Sequence, residues 1–128
     1  MNDSKNPLSP HLQIYRWQIS SLLSITHRIT GIVNLLALVF IFFWLIFLSL
    51  GESNYEIFLS IINSFIGKFI LIGFAWSMSF HVLGGIRHLF WDLGHGFEIK
   101  TANISGIIVI ISSLALTIIF WLFARGFI

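Results

Sequence analysis

Residues 29–50, ITGIVNLLALVFIFFWLIFLSL, contain no ionisable side chain. At about 1.5 Å per helical residue, this run crosses the ~30 Å hydrocarbon layer of a bilayer. Two further runs follow: Phe69 to Trp91, uncharged as far as Ile86 apart from His81, and Ile104 to Ala124, closed by Arg125. The whole chain of 128 residues is 57% hydrophobic and 9% charged, against roughly 25% charged in a soluble domain. The pattern predicts an all-α membrane protein with three transmembrane helices, over about residues 21–50, 66–92 and 104–125. A short interfacial arm, residues 1–19, precedes them in what is read as one membrane-anchor domain.

This composition excludes a soluble enzyme with its own cleft. The absence of cysteine removes disulfides, thiolate-bound zinc, iron–sulfur ligation and covalent c-type haem. A formal charge of +2 offers no footprint for nucleic acid.

Basic residues are unevenly shared between the two sides. Lys5, Arg16 and Arg28, with Arg87 and Lys100 at the second connection, face Lys68 and Arg125 on the other side. The positive-inside rule then puts the N-terminus and the second connection in the cytoplasm or mitochondrial matrix. The first connection, Gly51 to Gly67, carries Glu52 and Glu56. Pro7 and Pro10 keep the arm out of a helix, and the polar stretch Met1 to Arg16 does not read as a cleavable signal. A helix is expected to begin at Ser20 or Ser21 as cap, with Leu22, Leu23 and Ile25 facing lipid.

His81 lies inside an apolar span, an expensive place for an imidazole unless it faces the bundle interior and serves a function. Gly84 and Gly85 follow one helical turn later, on the same face. They would leave that face bare for a flat macrocycle, or serve close helix packing. His88 returns to nearly that face about 10.5 Å further along the axis, too far to share an iron with His81. His27 lies at the depth of His88. Spacing therefore leaves two bis-imidazole arrangements open: His27 with His88, or His81 with a histidine from another polypeptide.

Ser21, Ser24 and Arg28 form one polar stripe at the membrane boundary, suited to a quinone carbonyl or, more simply, to capping and a snorkelling arginine. Asp92 is expected to pair with Arg87 or His88, and Lys68, Trp91 and Trp121 to anchor at the interface. His11 and His95 fall in connections and are expected to be solvated.

Three segments carry a resemblance. They are the arm Pro7-Leu8-Ser9-Pro10-His11-Leu12-Gln13-Ile14-Tyr15, then Ser24-Ile25-Thr26-His27-Arg28-Ile29-Thr30-Gly31, and finally His81-Val82-Leu83-Gly84-Gly85-Ile86-Arg87-His88-Leu89-Phe90-Trp91-Asp92. In this order they resemble the cytochrome b subunits of succinate dehydrogenase. One departure is Asn6, where many members have Arg.

The resemblance implies a membrane anchor in a complex with a flavoprotein subunit, an iron–sulfur subunit and a second small membrane subunit. Haem b would be shared with that second subunit, and ubiquinone would be the substrate. It implies His81 as the haem axial ligand from this chain and Ser24 and Arg28 at the quinone. His27, Arg87 and His88 would lie near the haem propionates or form the site's polar wall, with Gly84 and Gly85 packing on the haem face. Three other readings compete. A fumarate reductase anchor would run the reaction in the opposite direction. A non-redox anchor would need neither His81 nor the Ser24/Arg28 stripe, and a di-haem cytochrome would need four ligands where only His27, His81 and His88 approach the membrane.

Overall fold

A computed structural model of the chain describes residues 16–126. They form four helices: α1 (Ile19–Ser49), α2 (Glu52–Asn63), α3 (Phe65–Asp92) and α4 (Ile99–Gly126). Helices α1, α3 and α4 are each long and apolar enough to cross a membrane. The expected site of His11 lies outside the described residues.

Very little of the bundle is closed off from its surroundings. Leu23, Phe80 and Val109 meet at the centre, one from each long helix, with Ile19, Trp76, Leu83 and Ile110 around them. Leu35, Leu38, Phe42, Ile108, Ile118 and Phe123 stay exposed, as suits helices whose solvent is lipid. Most of the other buried residues where helices touch are small or hydroxylated: Thr30, Ser77, Ser79, Gly106, Ser113 and Thr117. Lipid is as apolar as leucine, so close backbone approach and hydrogen bonds hold such helices together. Ser79, Ser113 and Thr117 satisfy their hydroxyls on carbonyls of their own helix. Ser77 instead reaches across to α1, donating to Asn34 Oδ1 at 2.8 Å with the Thr30 carbonyl at 3.1 Å.

Two local expectations are corrected, and one element is added. The cap of α1 is Gln18, with no side-chain hydrogen bond, rather than Ser20 or Ser21. Leu23 packs inward against Phe80 and Val109, whereas Leu22 and Ile25 are exposed as expected. The first connection is itself largely helical. Tyr55, Phe58, Leu59 and Ile62 recur at helical spacing and form the inner face of α2, and Phe58 is buried against Phe40 and Phe47 with ring centroids at 5.5 and 5.3 Å. Ser64 then caps α3 by accepting the Gly67 N–H at 3.1 Å. A Cβ at Gly67 would strike the Ile61 and Ile62 carbonyls, so this junction requires glycine.

At the opposite end, the α3–α4 turn uses Gly94 and Gly96, both at positive φ (83° and 85°). The Trp91 indole N–H donates to the Gly96 carbonyl at 3.1 Å. The start of α1 and this turn lie at the same end of the bundle, around an open recess of about 630 Å³ lined by Trp17, Gln18, Ser20, Trp91, Phe97 and Asn103.

Candidate functional site

The long helices bring three histidines together. The His27 and His81 rings stack with centroids 4.1 Å apart and planes 3° from parallel. His88 meets His27 edge-on at 5.2 Å and 66°. Glycines make this crossing possible. A Cβ on Gly84 would lie 2.7 Å from His27 Nδ1, and one on Gly31 would lie 3.3 Å from His81 Cε1. At Gly85 a Cβ would meet nothing within 4 Å. The glycine pair is thus divided: Gly84 receives the His27 ring, and Gly85 looks outward.

The surroundings of His81 assign its tautomer. Its Nδ1 lies 3.2 Å from the His27 carbonyl oxygen and 3.2 Å from Thr30 Oγ1, while the Thr30 hydroxyl proton goes to that same carbonyl at 2.9 Å. A carbonyl can only accept, so Nδ1 carries a proton in this contact, and in the neutral ring that leaves the lone pair on Nε2. No described residue hydrogen-bonds Nε2. A neutral imidazole held by a backbone carbonyl through one nitrogen, with the other free, is the usual form of a metal-ligating histidine. His27 differs: its Nδ1 is buried without a partner against Gly84, so only Nε2 can reach a ligand.

Beside this stack is a small cavity of about 160 Å³, lined among others by Ser20, Ser24, His27, Gly84, Arg87 and His88. A space of about 150 Å³ takes a single six-membered ring. Ser20 and Trp91 border both this cavity and the open recess. Arg87 is buried. Its Nε donates to Ser105 Oγ at 3.0 Å, its Nη2 to the Ala102 carbonyl at 2.9 Å, and its guanidinium lies 4.0 Å from the Trp91 ring centroid. Those contacts tie α3 to α4, and Asp92, expected as an ion-pair partner, is exposed instead. Trp91 is more than an interface anchor, because it carries the guanidinium on its face and closes the turn with its N–H.

Of the residues singled out from the sequence, Ser24, His27, Arg87, His88 and Gly84 share the small cavity. His81 stacks on its His27 wall. Arg28 is exposed one turn beyond Ser24, outside that cavity, and His95 is exposed in the α3–α4 turn. Sequence reasoning passed over Thr30, Gly31 and Ser105. Thr30 and Gly31 follow His27 at i+3 and i+4 on α1, as Gly84 and Gly85 follow His81 on α3, and that repeated spacing was the available signal.

Among the described residues no group of three or more His, Cys, Asp or Glu is placed to hold a metal ion. An axial position on a macrocycle asks for only one. His27 and His88, an edge-on pair at 5.2 Å, have no room for a macrocycle between their nitrogens. The internal His27/His88 pair is therefore not formed in this structure.

The model of the family described as succinate dehydrogenase/fumarate reductase transmembrane subunit matches residues 2–120. The succinate dehydrogenase cytochrome b556 subunit of Rickettsia prowazekii is 48% identical over 118 residues, covering 92% of either chain. The protein of the same name from Paracoccus denitrificans is 36% identical over 119 residues, covering 93% of this chain and 92% of its own. The mitochondrial succinate dehydrogenase cytochrome b560 subunit of Sus scrofa is 40% identical over 113 residues, covering 84% of this chain and 65% of its own.

Proposed function

Since the chain belongs to the succinate dehydrogenase/fumarate reductase transmembrane subunit family, we propose that it is the cytochrome b anchor of a succinate dehydrogenase, shares haem b with a second small membrane subunit, and helps to build the ubiquinone-reducing site. The observation that carries this reading is the half-buried His81 ring, tethered to α1 through Nδ1 by the His27 carbonyl oxygen and Thr30 Oγ1 at 3.2 Å each, with Nε2 meeting no described hydrogen-bond partner.

His81 would hold the haem iron from this chain. When bound, haem b supplies one-electron storage beside the quinone site. The open side of Gly85 suits the approach of a flat ring, and Gly84 acts one step back by seating His27. His27 Nε2 and His88 offer ring nitrogens, and Arg87 a fixed positive charge, to acidic groups on the haem edge. Ser24 and Arg28 are assigned to ubiquinone. The Ser24 hydroxyl can donate to a quinone carbonyl, and the Arg28 guanidinium can stabilise negative charge developing there as electrons arrive before protons. The flavoprotein and iron–sulfur subunits would supply those electrons from the cytoplasmic or matrix side, where the excess of basic residues places the N-terminus. An inner-membrane, multi-pass location agrees with the spans and with bacterial and mitochondrial relatives.

The experiment is a reduced-minus-oxidised spectrum of the purified complex. A low-spin b-type signal is expected, and a complex that reduces ubiquinone without any haem signal would favour a non-redox anchor. A finer result is expected at the glycines. Gly84→Leu, whose side chain drives into His27, and Gly85→Leu, which fills the side left open to the ring, should both lower haem per complex well below Gly73→Leu, an open position elsewhere on α3. Haem content equal to that of Gly73→Leu would return both glycines to plain helix packing.

A further inference from the structure

Thr30 is 1% exposed and touches α3 at two points four residues apart. Its hydroxyl oxygen meets His81 Nδ1 at 3.2 Å, and its carbonyl lies 3.1 Å from the hydroxyl of Ser77. Ser77 and His81 are spaced i and i+4, on one face of α3, so a single α1 residue receives both. Ser77 is also held by Asn34 at 2.8 Å, one turn further along α1. A buried residue whose hydroxyl oxygen and carbonyl both meet the facing helix has little freedom to turn.

We propose that the Thr30 hydroxyl is the positioning group for the haem ligand: it accepts the Nδ1 proton of His81 while donating its own to the His27 carbonyl, and so sets both the orientation of the imidazole and the electron-donating strength of Nε2. The inference rests on His81 being the axial ligand. The order of bonds is fixed by the donors available. Thr30 Oγ1 has one proton, directed at the His27 carbonyl at 2.9 Å, so towards His81 it acts as acceptor. The carbonyl alone is a poorer acceptor for His81, because it also serves the Gly31 N–H in the α1 ladder and the Thr30 hydroxyl. An acceptor on Nδ1–H makes the opposite nitrogen a better donor to a metal. That favours the oxidised, more positive iron, and loss of the acceptor should favour the reduced form.

The test uses the purified complex carrying Thr30→Val, which keeps the branched shape and deletes the hydroxyl, or Thr30→Ser, which keeps the hydroxyl and deletes the methyl. The readouts are haem content, the haem midpoint potential and the electron paramagnetic resonance of the oxidised low-spin haem. Thr30→Val is expected to retain haem and to shift its reduced-to-oxidised ratio at fixed poise towards the reduced form by about tenfold. For a one-electron couple this is about 59 mV upward. Thr30→Ser should return the potential towards that of the parent. Haem loss in Thr30→Val with retention in Thr30→Ser would support the same role. An unchanged potential and resonance in Thr30→Val, or equal haem loss in both variants, would overturn it. A complex with His81→Ala that kept its low-spin signal would overturn the ligand assignment itself, whatever the Thr30 variants did.

Discussion

A complex assembled with His81→Ala is expected to lose its low-spin b-type signal altogether, in both the optical difference spectrum and the paramagnetic resonance, while His95→Ala keeps it. The expectation follows from the proposed ligand role of His81, because the two other rings beside it are already engaged. His27 lies flat against the His81 ring at 4.1 Å and has one nitrogen sealed behind Gly84. His88 faces His27 and Trp91 edge-on, each at 5.2 Å. An intact bis-imidazole spectrum in the variant would return the ligand to one of those rings.

The second large effect is expected on ubiquinone reduction. Arg28→Leu should lower succinate–ubiquinone activity by about ten- to a hundredfold. A hydrogen bond to a charged group contributes about 1.5–3 kcal/mol, and each ~1.4 kcal/mol is tenfold in rate. Ser24→Ala should cost about fivefold, in line with the ~1 kcal/mol of a neutral hydrogen bond. Succinate oxidation by a soluble artificial acceptor, which takes its electrons upstream, should stay near the parent rate in both. If both activities fall together, these residues hold the assembly together instead. If neither falls, Arg28, exposed beyond the small cavity, is a snorkelling arginine and Ser24 a packing residue.

The three membrane spans were legible because runs of eighteen or more successive residues without Asp, Glu, Lys or Arg, in a chain this poor in charge, are what a bilayer selects for. Helix α2 was equally written in the spacing of Tyr55, Phe58, Leu59 and Ile62, but a short amphipathic stretch between two spans reads as a connection when only hydropathy is followed. The site was legible in parts. His81 could be singled out by the cost of burying an imidazole in hydrocarbon, and His27, Arg87 and His88 by their place in motifs that the family resemblance supplied. The contact between His27 and His81 was not legible, since it depends on how far α1 is shifted along α3, and no periodicity within either helix contains that offset. The division of labour between Gly84 and Gly85 has the same origin, because both lie on the His81 face and only the position of His27 distinguishes them. Leu23 was assigned to lipid for a related reason: in a bilayer, an inward and an outward leucine look alike in sequence.

The stacked imidazoles form within a single polypeptide, with the proton of His81 already committed to α1. On the proposed reading this bears on the order of biogenesis. A lone subunit folded this way would offer the iron one bond and nothing on the far side. Haem captured at that stage would be loosely held and readily given up. Durable loading would then wait for the second membrane subunit to close the other face, and cofactor retention would become a checkpoint on pairing.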